Sequence, residues 1–113
     1  MPFIDCKFTQ QLTPDEKENI KSGLGKLISI MHKPESYLMV GIEENYTLYL
    51  AGTKLEAGAY ISISLFGTPK PSDCEKMTSA VCDLIKKELG INGTSVYITY
   101  HGVENWGYNG NNF

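Results

Sequence analysis

Long apolar runs are missing from this chain. The N-terminus, Met-Pro-Phe-Ile-Asp-Cys-Lys-Phe, has no stretch of signal-peptide length, because Asp5 and Lys7 interrupt it. No window approaches the roughly 20 apolar residues that span a bilayer. The expectation is a cytoplasmic protein without membrane insertion; export, if it occurs, uses a route that needs no signal peptide. Cysteine is scarce as well. Cys6, Cys74 and Cys82 are odd in number and none has C-x-x-C spacing, so they read as free thiols, with neither a disulfide framework nor a zinc site indicated. The two histidines, His32 and His101, are far apart in sequence, and no metal is expected. Basic charge is in short supply: 10 Lys and Arg against 13 Asp and Glu give a net charge of -3 and a pI of about 5.3. Phosphate binding needs a basic face, so nucleic acid is not an expected partner. No Ser-His-Asp order, glycine-rich phosphate loop or paired-carboxylate motif rises above chance. Asn45-Tyr46-Thr47 and Asn92-Gly93-Thr94 match the glycosylation pattern, which carries no weight without a secretion signal.

What is present is a small globular chain. Its 113 residues suit one domain, spanning 1–113, and 42% hydrophobic with 20% charged residues is a folding composition rather than a disordered one. Residues 3–8 alternate as a short strand. Thr13-Pro14-Asp15-Glu16 supplies a cap, a first-position proline and a capping box. Ile20, Leu24, Leu27, Ile28 and Met31 follow at helical spacing, and Pro34 is expected to end that helix. Gly23 and Gly25 are costly inside a helix and suggest close packing. Residues 37–43 and 47–51 read as strands, and 57–66 as a clearer one. In that strand Ala59, Ile61, Ile63 and Leu65 point one way; Tyr60, Ser62, Ser64 and Phe66 point the other. Ser72-Asp73-Cys74-Glu75 reads as a second capping box. It leads to an apolar stripe of Met77, Ala80, Val81, Leu84 and Ile85, with Gly90 placed to stop the helix. Residues 95–101 form the last long strand, and the turn-rich tail suits a short hairpin.

The two halves correspond: Thr13 and Ser72 lie 59 positions apart, Tyr37 and Tyr97 60 apart. The expected class is α+β, with duplicated β-α-β units forming one mixed four-stranded sheet. Right-handed crossovers put both helices on one face. The other face, with Tyr60, Ser62, Ser64, Phe66, Tyr97 and Thr99, is left uncovered. Further copies of the chain are its natural cover.

Pro2 is the position with the most chemical promise. Loss of Met1 leaves a chain that begins with a secondary amine. An ordinary α-amino group titrates at about 7.7–8.0. Burial in an apolar pocket or a nearby cation lowers that value and tunes the amine for proton transfer near neutral pH. Taken alone, Met-Pro is a common and uninformative start. Lys33, in His32-Lys33-Pro34, is either a solvated charge at a helix C-terminus or a group that holds a substrate carboxylate. Trp106, Tyr108 and Phe113 crowd the last eight residues and can either pack a core or wall a pocket for a ring.

Met1-Pro2, Lys33-Pro34 followed by Tyr37, Ser64-Leu65-Phe66-Gly67, Val96-Tyr97-Ile98, and Asn105-Trp106-Gly107-Tyr108-Asn109 leading to Phe113 occur together in this order. On these residues the chain resembles, over essentially its whole length, the macrophage migration inhibitory factor and D-dopachrome tautomerase family. The resemblance implies a homotrimer whose three sheets enclose a central barrel, with active sites between subunits. It implies Pro2 as catalytic base, Lys33 on a carboxylate or carbonyl, and the backbone N–H of Phe66 on substrate. Tyr97 would come from the neighbouring subunit, and Tyr37, Trp106, Tyr108 and Phe113 would line the pocket. Ser64, within Ser64-Leu65-Phe66-Gly67, and Thr99, just past Val96-Tyr97-Ile98, join the substrate-binding set. Family members tautomerise phenylpyruvate-type enols and dopachrome-type substrates without a cofactor, and several are secreted signalling proteins.

This chain departs from the family pattern in four places. Gly58-Ala59-Tyr60-Ile61 replaces the C-x-x-C pair of the cytokine-like members, which leaves thiol-redox activity unsupported. Thr99 stands where an asparagine often meets substrate, Phe66 where a smaller aliphatic residue is common, and Trp106 is larger than usual. Small aromatic 2-oxo acids or their enols are therefore the expected substrates, ahead of dopachrome types. The rival expectation is a trimeric signalling protein that binds a cell-surface receptor and keeps a vestigial pocket. A nucleic-acid-binding ferredoxin-like module shares the layout, but the acidic pI opposes it.

Overall fold

Strand β1 (Pro2–Phe8) alternates buried and half-exposed residues without a break, and it occupies the middle of a four-stranded sheet. The computed structural model describes residues 1–113. On one side β1 pairs in parallel with β2 (Met39–Glu43). On the other it runs antiparallel to β5 (Ala59–Phe66), which pairs in parallel with the outer strand β6 (Val96–Val103). Helix α1 (Pro14–Leu27) connects β1 to β2, and α2 (Pro71–Leu89) connects β5 to β6. The expected duplication is thus two β-α-β units joined through the antiparallel β1–β5 seam.

Both helices lie on one face. Ile4, Cys6 and Phe8 of β1 and Ala59, Ile61, Ile63 and Leu65 of β5 meet Ile20 and Leu24 of α1 and Met77, Val81 and Ile85 of α2. All are buried, and no polar side chain is buried with them. Each large aliphatic member contributes about 1.5–3 kcal/mol by leaving water. Gly23 lets the helices approach, since a Cβ there would lie 2.5 Å from Leu84 Cδ1. A Cβ on Gly25 would strike the Glu35 carboxylate. Close packing thus accounts for both helical glycines.

Several boundaries differ from those expected. The Thr13 box forms as read, with Thr13 Oγ1 accepting from Glu16 N–H and Glu16 accepting from Thr13 N–H. α1, however, stops at Leu27 rather than at Pro34. The chain tightens into a 3₁₀ turn over Ile28–Met31, which keeps Ile28 and Met31 in the core, and His32 then ends it in the left-handed conformation. Ser72 is not a cap. α2 begins at Pro71, whose ring presets the first helical φ, so the boundary falls ahead of Ser72 and Lys70 takes the cap position without a side-chain bond. Tyr37 lies in a second 3₁₀ turn, Glu35–Tyr37, rather than in β2. Residues 47–51 give only β3 (Tyr49–Leu50), which turns through Ala51 and Gly52, both at positive φ, into β4 (Thr53–Lys54). Gly90 caps α2 at φ 70°, as expected. The tail forms a hairpin of β7 (Gly107–Tyr108) and β8 (Asn111–Asn112) around Asn109-Gly110, with positive φ at both central residues.

The face away from the helices carries no protein layer. Lys7 and Asp5 pair at 2.7 Å, and Thr99 Oγ1 lies 2.7 Å from the Tyr60 hydroxyl and 2.9 Å from His101 Nε2. No helix is long and apolar enough to cross a membrane.

Candidate functional site

The antiparallel register sets Pro2, the first residue of β1, opposite Leu65, next to the point where β5 ends. Pro2 is buried. The backbone of the next residue of β5, Phe66, then serves two segments at once. Phe66 N–H donates to the Met1 carbonyl at 3.0 Å, and Lys33 Nζ donates to the Phe66 carbonyl at 3.1 Å. The sequence motifs Met1-Pro2, Lys33-Pro34 and Ser64-Leu65-Phe66-Gly67 therefore converge on the backbone of one residue, Phe66. Burial, and after it the Lys33 charge, hold the N-terminal amine below its ordinary value, because both disfavour the ammonium form.

Beside this corner opens a cavity of about 700 Å³, lined mainly by apolar residues and within the range that suits a small organic ligand. Its walls include Pro2, Tyr37, Ser64, Trp106 and Tyr108, together with Met1. Ser64 reaches it from β5, Tyr37 from the 3₁₀ turn that follows Lys33-Pro34, and Tyr108 from the tail hairpin. Phe113 stands behind this wall rather than in it. Its ring stacks on Tyr108 at 5.9 Å, meets Tyr37 edge-on at 6.5 Å and lies 6.0 Å from Phe66. Tyr37 and Tyr108 meet edge-on at 6.1 Å. Four rings thus brace the cavity, each pair worth about 0.5–1.5 kcal/mol beyond its buried area. The Phe113 N–H bond to the Trp106 carbonyl, 3.0 Å, closes the hairpin that carries them.

Lys33 does not line this cavity. It lies in an adjoining cleft of about 180 Å³ with His32, Phe66, Lys70 and Asp73, and reaches the Pro2 corner only through the Phe66 peptide. Tyr97 and Thr99 lie elsewhere in the same chain. Tyr97 is in register with Tyr60, five residues along β5 from Leu65, or roughly 16 Å at the strand rise. It borders a small apolar hollow with Leu50, Leu55 and Tyr60. Thr99, in register with Ser62, is engaged by Tyr60 and His101. Neither meets Pro2 within one subunit.

Sequence reasoning passed over two elements of the site. One is the Met1 carbonyl, which occupies the Phe66 N–H; nothing in a sequence shows a backbone contact of that kind. The other is the pairing of His32 with Asp73 at 3.2 Å, between residues that sit in separate motifs. No group of three or more His, Cys, Asp or Glu side chains is placed to hold a metal. The three cysteines are free, and burial raises all three thiols, Cys6 to about 12, so none is primed as a nucleophile.

A duplicated β-α-β sheet whose first residue opens into an aromatic cavity defines a narrow class of small α+β proteins. The profile of the macrophage migration inhibitory factor (MIF) family matches residues 1–113, and the chain belongs to that family. Among solved structures it is similar to MIF2 of Leishmania major, with 26% identity, coverage of 100% of this chain and 97% of that one, and a TM-score of 0.93. The MIF homologue of Prochlorococcus marinus is 25% identical, with 98% of each chain covered and a TM-score of 0.88. The MIF of Toxoplasma gondii, 20% identical over 98% of this chain and 99% of that one, shares the fold with a TM-score of 0.90. Comparison with curated protein sequences returns no match.

Proposed function

We propose that the chain is a keto–enol tautomerase for small aromatic 2-oxo acids of the phenylpyruvate type, and that Pro2, after loss of Met1, is its base. The observation that carries this reading is a buried Pro2 on the wall of an aromatic cavity, beside a peptide held by Lys33. The two effects that depress the Met1 amine, burial and the Lys33 charge, are at hand for an amine one residue further in, at the buried Pro2. Removing Met1 has a second effect. It strips the Phe66 N–H of its acceptor, and a part-buried donor without a partner costs about 1–3 kcal/mol. A substrate oxygen restores that bond. One processing event thus frees both the base and a hydrogen-bond donor.

In the reaction the enol hydroxyl gives its proton to the Pro2 nitrogen, the carbonyl forms, and the ammonium returns the proton to the substrate carbon. The net change is one proton moved from oxygen to carbon, and no cofactor takes part. Lys33 holds the substrate carboxylate, and Tyr37, Trp106 and Tyr108 enclose the ring. The reading includes a homotrimer. The sheet face left open by the helices suits further copies, and Tyr97 reaches a Pro2 cavity only from a neighbour. Sedimentation velocity tests the assembly.

The catalytic test compares enol–ketone conversion of phenylpyruvate by protein shown by intact mass to begin at Pro2 with protein that retains Met1. Activity confined to the first form supports the free amine. Equal activity in both forms would place the base elsewhere.

A further inference from the structure

His32 occupies a conformation that residues with a side chain seldom take. Its φ of 60° and ψ of 35° are left-handed, and its N–H closes the 3₁₀ turn on the Ser29 carbonyl at 2.9 Å. Lys33 is the next residue, so this turn aims the lysine. Glycine would adopt the same backbone without strain. What an imidazole adds is a contact: Nε2 lies 3.2 Å from Asp73 Oδ2, linking the end of the first helical segment to the first turn of α2. The imidazole is largely exposed, whereas the Asp73 carboxylate is only 14% exposed.

Asp73 is also the only carboxylate lining the cleft that holds Lys33 and Lys70. A carboxylate there competes with an incoming carboxylate for the Lys33 ammonium, and a partly desolvated setting strengthens that competition. In the structure Asp73 is taken by His32, and Lys33 Nζ turns to the Phe66 carbonyl instead.

We infer that His32 is a positioning residue that occupies Asp73 and so keeps the Lys33 ammonium clear of an internal carboxylate and available to the carboxylate of a ligand that reaches from the Pro2 cavity into the adjoining cleft. This rests on the tautomerase reading only in assigning Lys33 to a ligand carboxylate. His32 and Asp73 act through Lys33 and touch no reacting atom. The imidazole end of the pair is largely exposed and lies outside the core, so its loss leaves the fold intact.

The test uses the full chain beginning at Pro2 and reads binding by the fluorescence of Trp106, the single tryptophan, which lines the cavity. Phenylacetate is compared with the isosteric neutral phenylacetamide. Wild type favours the anion. His32→Gly, which keeps the left-handed turn but removes the imidazole, loses roughly tenfold of that preference as Asp73 turns to Lys33. His32→Gly combined with Asp73→Asn recovers it, and phenylacetamide binds all three alike. In turnover of the phenylpyruvate enol, His32→Gly raises KM and leaves kcat within about twofold. The inference is overturned if His32→Gly keeps the full preference, if Asp73→Asn fails to restore it, or if wild type does not favour the anion. Loss of wild-type turnover with the binding pattern intact would strike the tautomerase reading and leave this one standing.

Discussion

The two faces of the sheet are built on opposite terms. Ile63 points to the helices, where every buried side chain is apolar; Ser62, the residue before it, points to the open face, where tyrosine, threonine, histidine and an ion pair satisfy one another. The covered face holds the fold together by burial, which tolerates no polar atom without a partner. The open face and the sheet end at Pro2 keep hydrogen-bonding groups within reach of an outside partner. The proposed chemistry therefore sits at the end of the sheet, where β1 begins and β5 stops, and not over the core. The difference teaches where a substitution should affect stability and where it should affect turnover.

The sharpest way to break that division is at the N-terminus. A chain retaining Met1 should fold at least as stably as the processed one, since it keeps the Phe66 N–H bond to the Met1 carbonyl, but convert phenylpyruvate enol at least about 100-fold more slowly, since it lacks the Pro2 amine. A retained activity would take the base away from the Pro2 nitrogen. The reverse dissociation is expected one layer in. Ile63→Ala should lower unfolding stability by about 2–5 kcal/mol in a urea melt, because it empties a fully buried position. Ser62→Ala should stay within about 0.5 kcal/mol of wild type. If the two cost the same, the open face is as tightly packed as the core, as a closed oligomer with a dry interior would make it.

Lys33→Met sharpens the comparison within the site itself. In the proposed reaction the active amine is the neutral form, so activity should rise as pH passes through its pKa. Burial and the Lys33 charge depress that pKa in the N-terminal amine. Removing the cation makes the ammonium less unfavourable, so the acid limb of kcat should move to higher pH. KM for the carboxylate substrate should rise roughly tenfold. A profile that does not move would mean that burial alone tunes the amine.

Much of this was legible before the fold was known, and the limits of reading have physical causes. Strict alternation at Ala59, Ile61, Ile63 and Leu65 and the stripes through Ile20 and Leu24 or Met77, Val81 and Ile85 report burial directly, because one buried face requires one period. Asn109-Gly110 reports its own turn. The end of α1 was not legible, since Ile28 and Met31 continue the apolar spacing whether the turn is α or 3₁₀. The site was legible as residue types, with Pro2, Lys33, Tyr37 and Trp106 all named from sequence. That Lys33 reaches Pro2 only across the Phe66 peptide depends on strand register, and His32 with Asp73 depends on how two helices end. Neither strand register nor the approach of two helix ends in space leaves a local trace.

The smallest expected effect decides between the two halves of the duplication. Both helices start with a proline preceded or followed by a hydroxyl residue: Thr13-Pro14 in one, Pro71-Ser72 in the other. Proline presets the φ of the first helical residue, so the residue before it becomes the cap. That order gives Thr13 an orphan N–H to satisfy and leaves Ser72 already inside the first turn of α2. Thr13→Ala should therefore cost about 1 kcal/mol, while Ser72→Ala should cost nearly nothing and Lys70→Ser should gain a few tenths by supplying the missing cap. Equal losses at Thr13 and Ser72 would show that in solution the cap of α2 sits two residues later, at the serine, and that the two halves are capped alike.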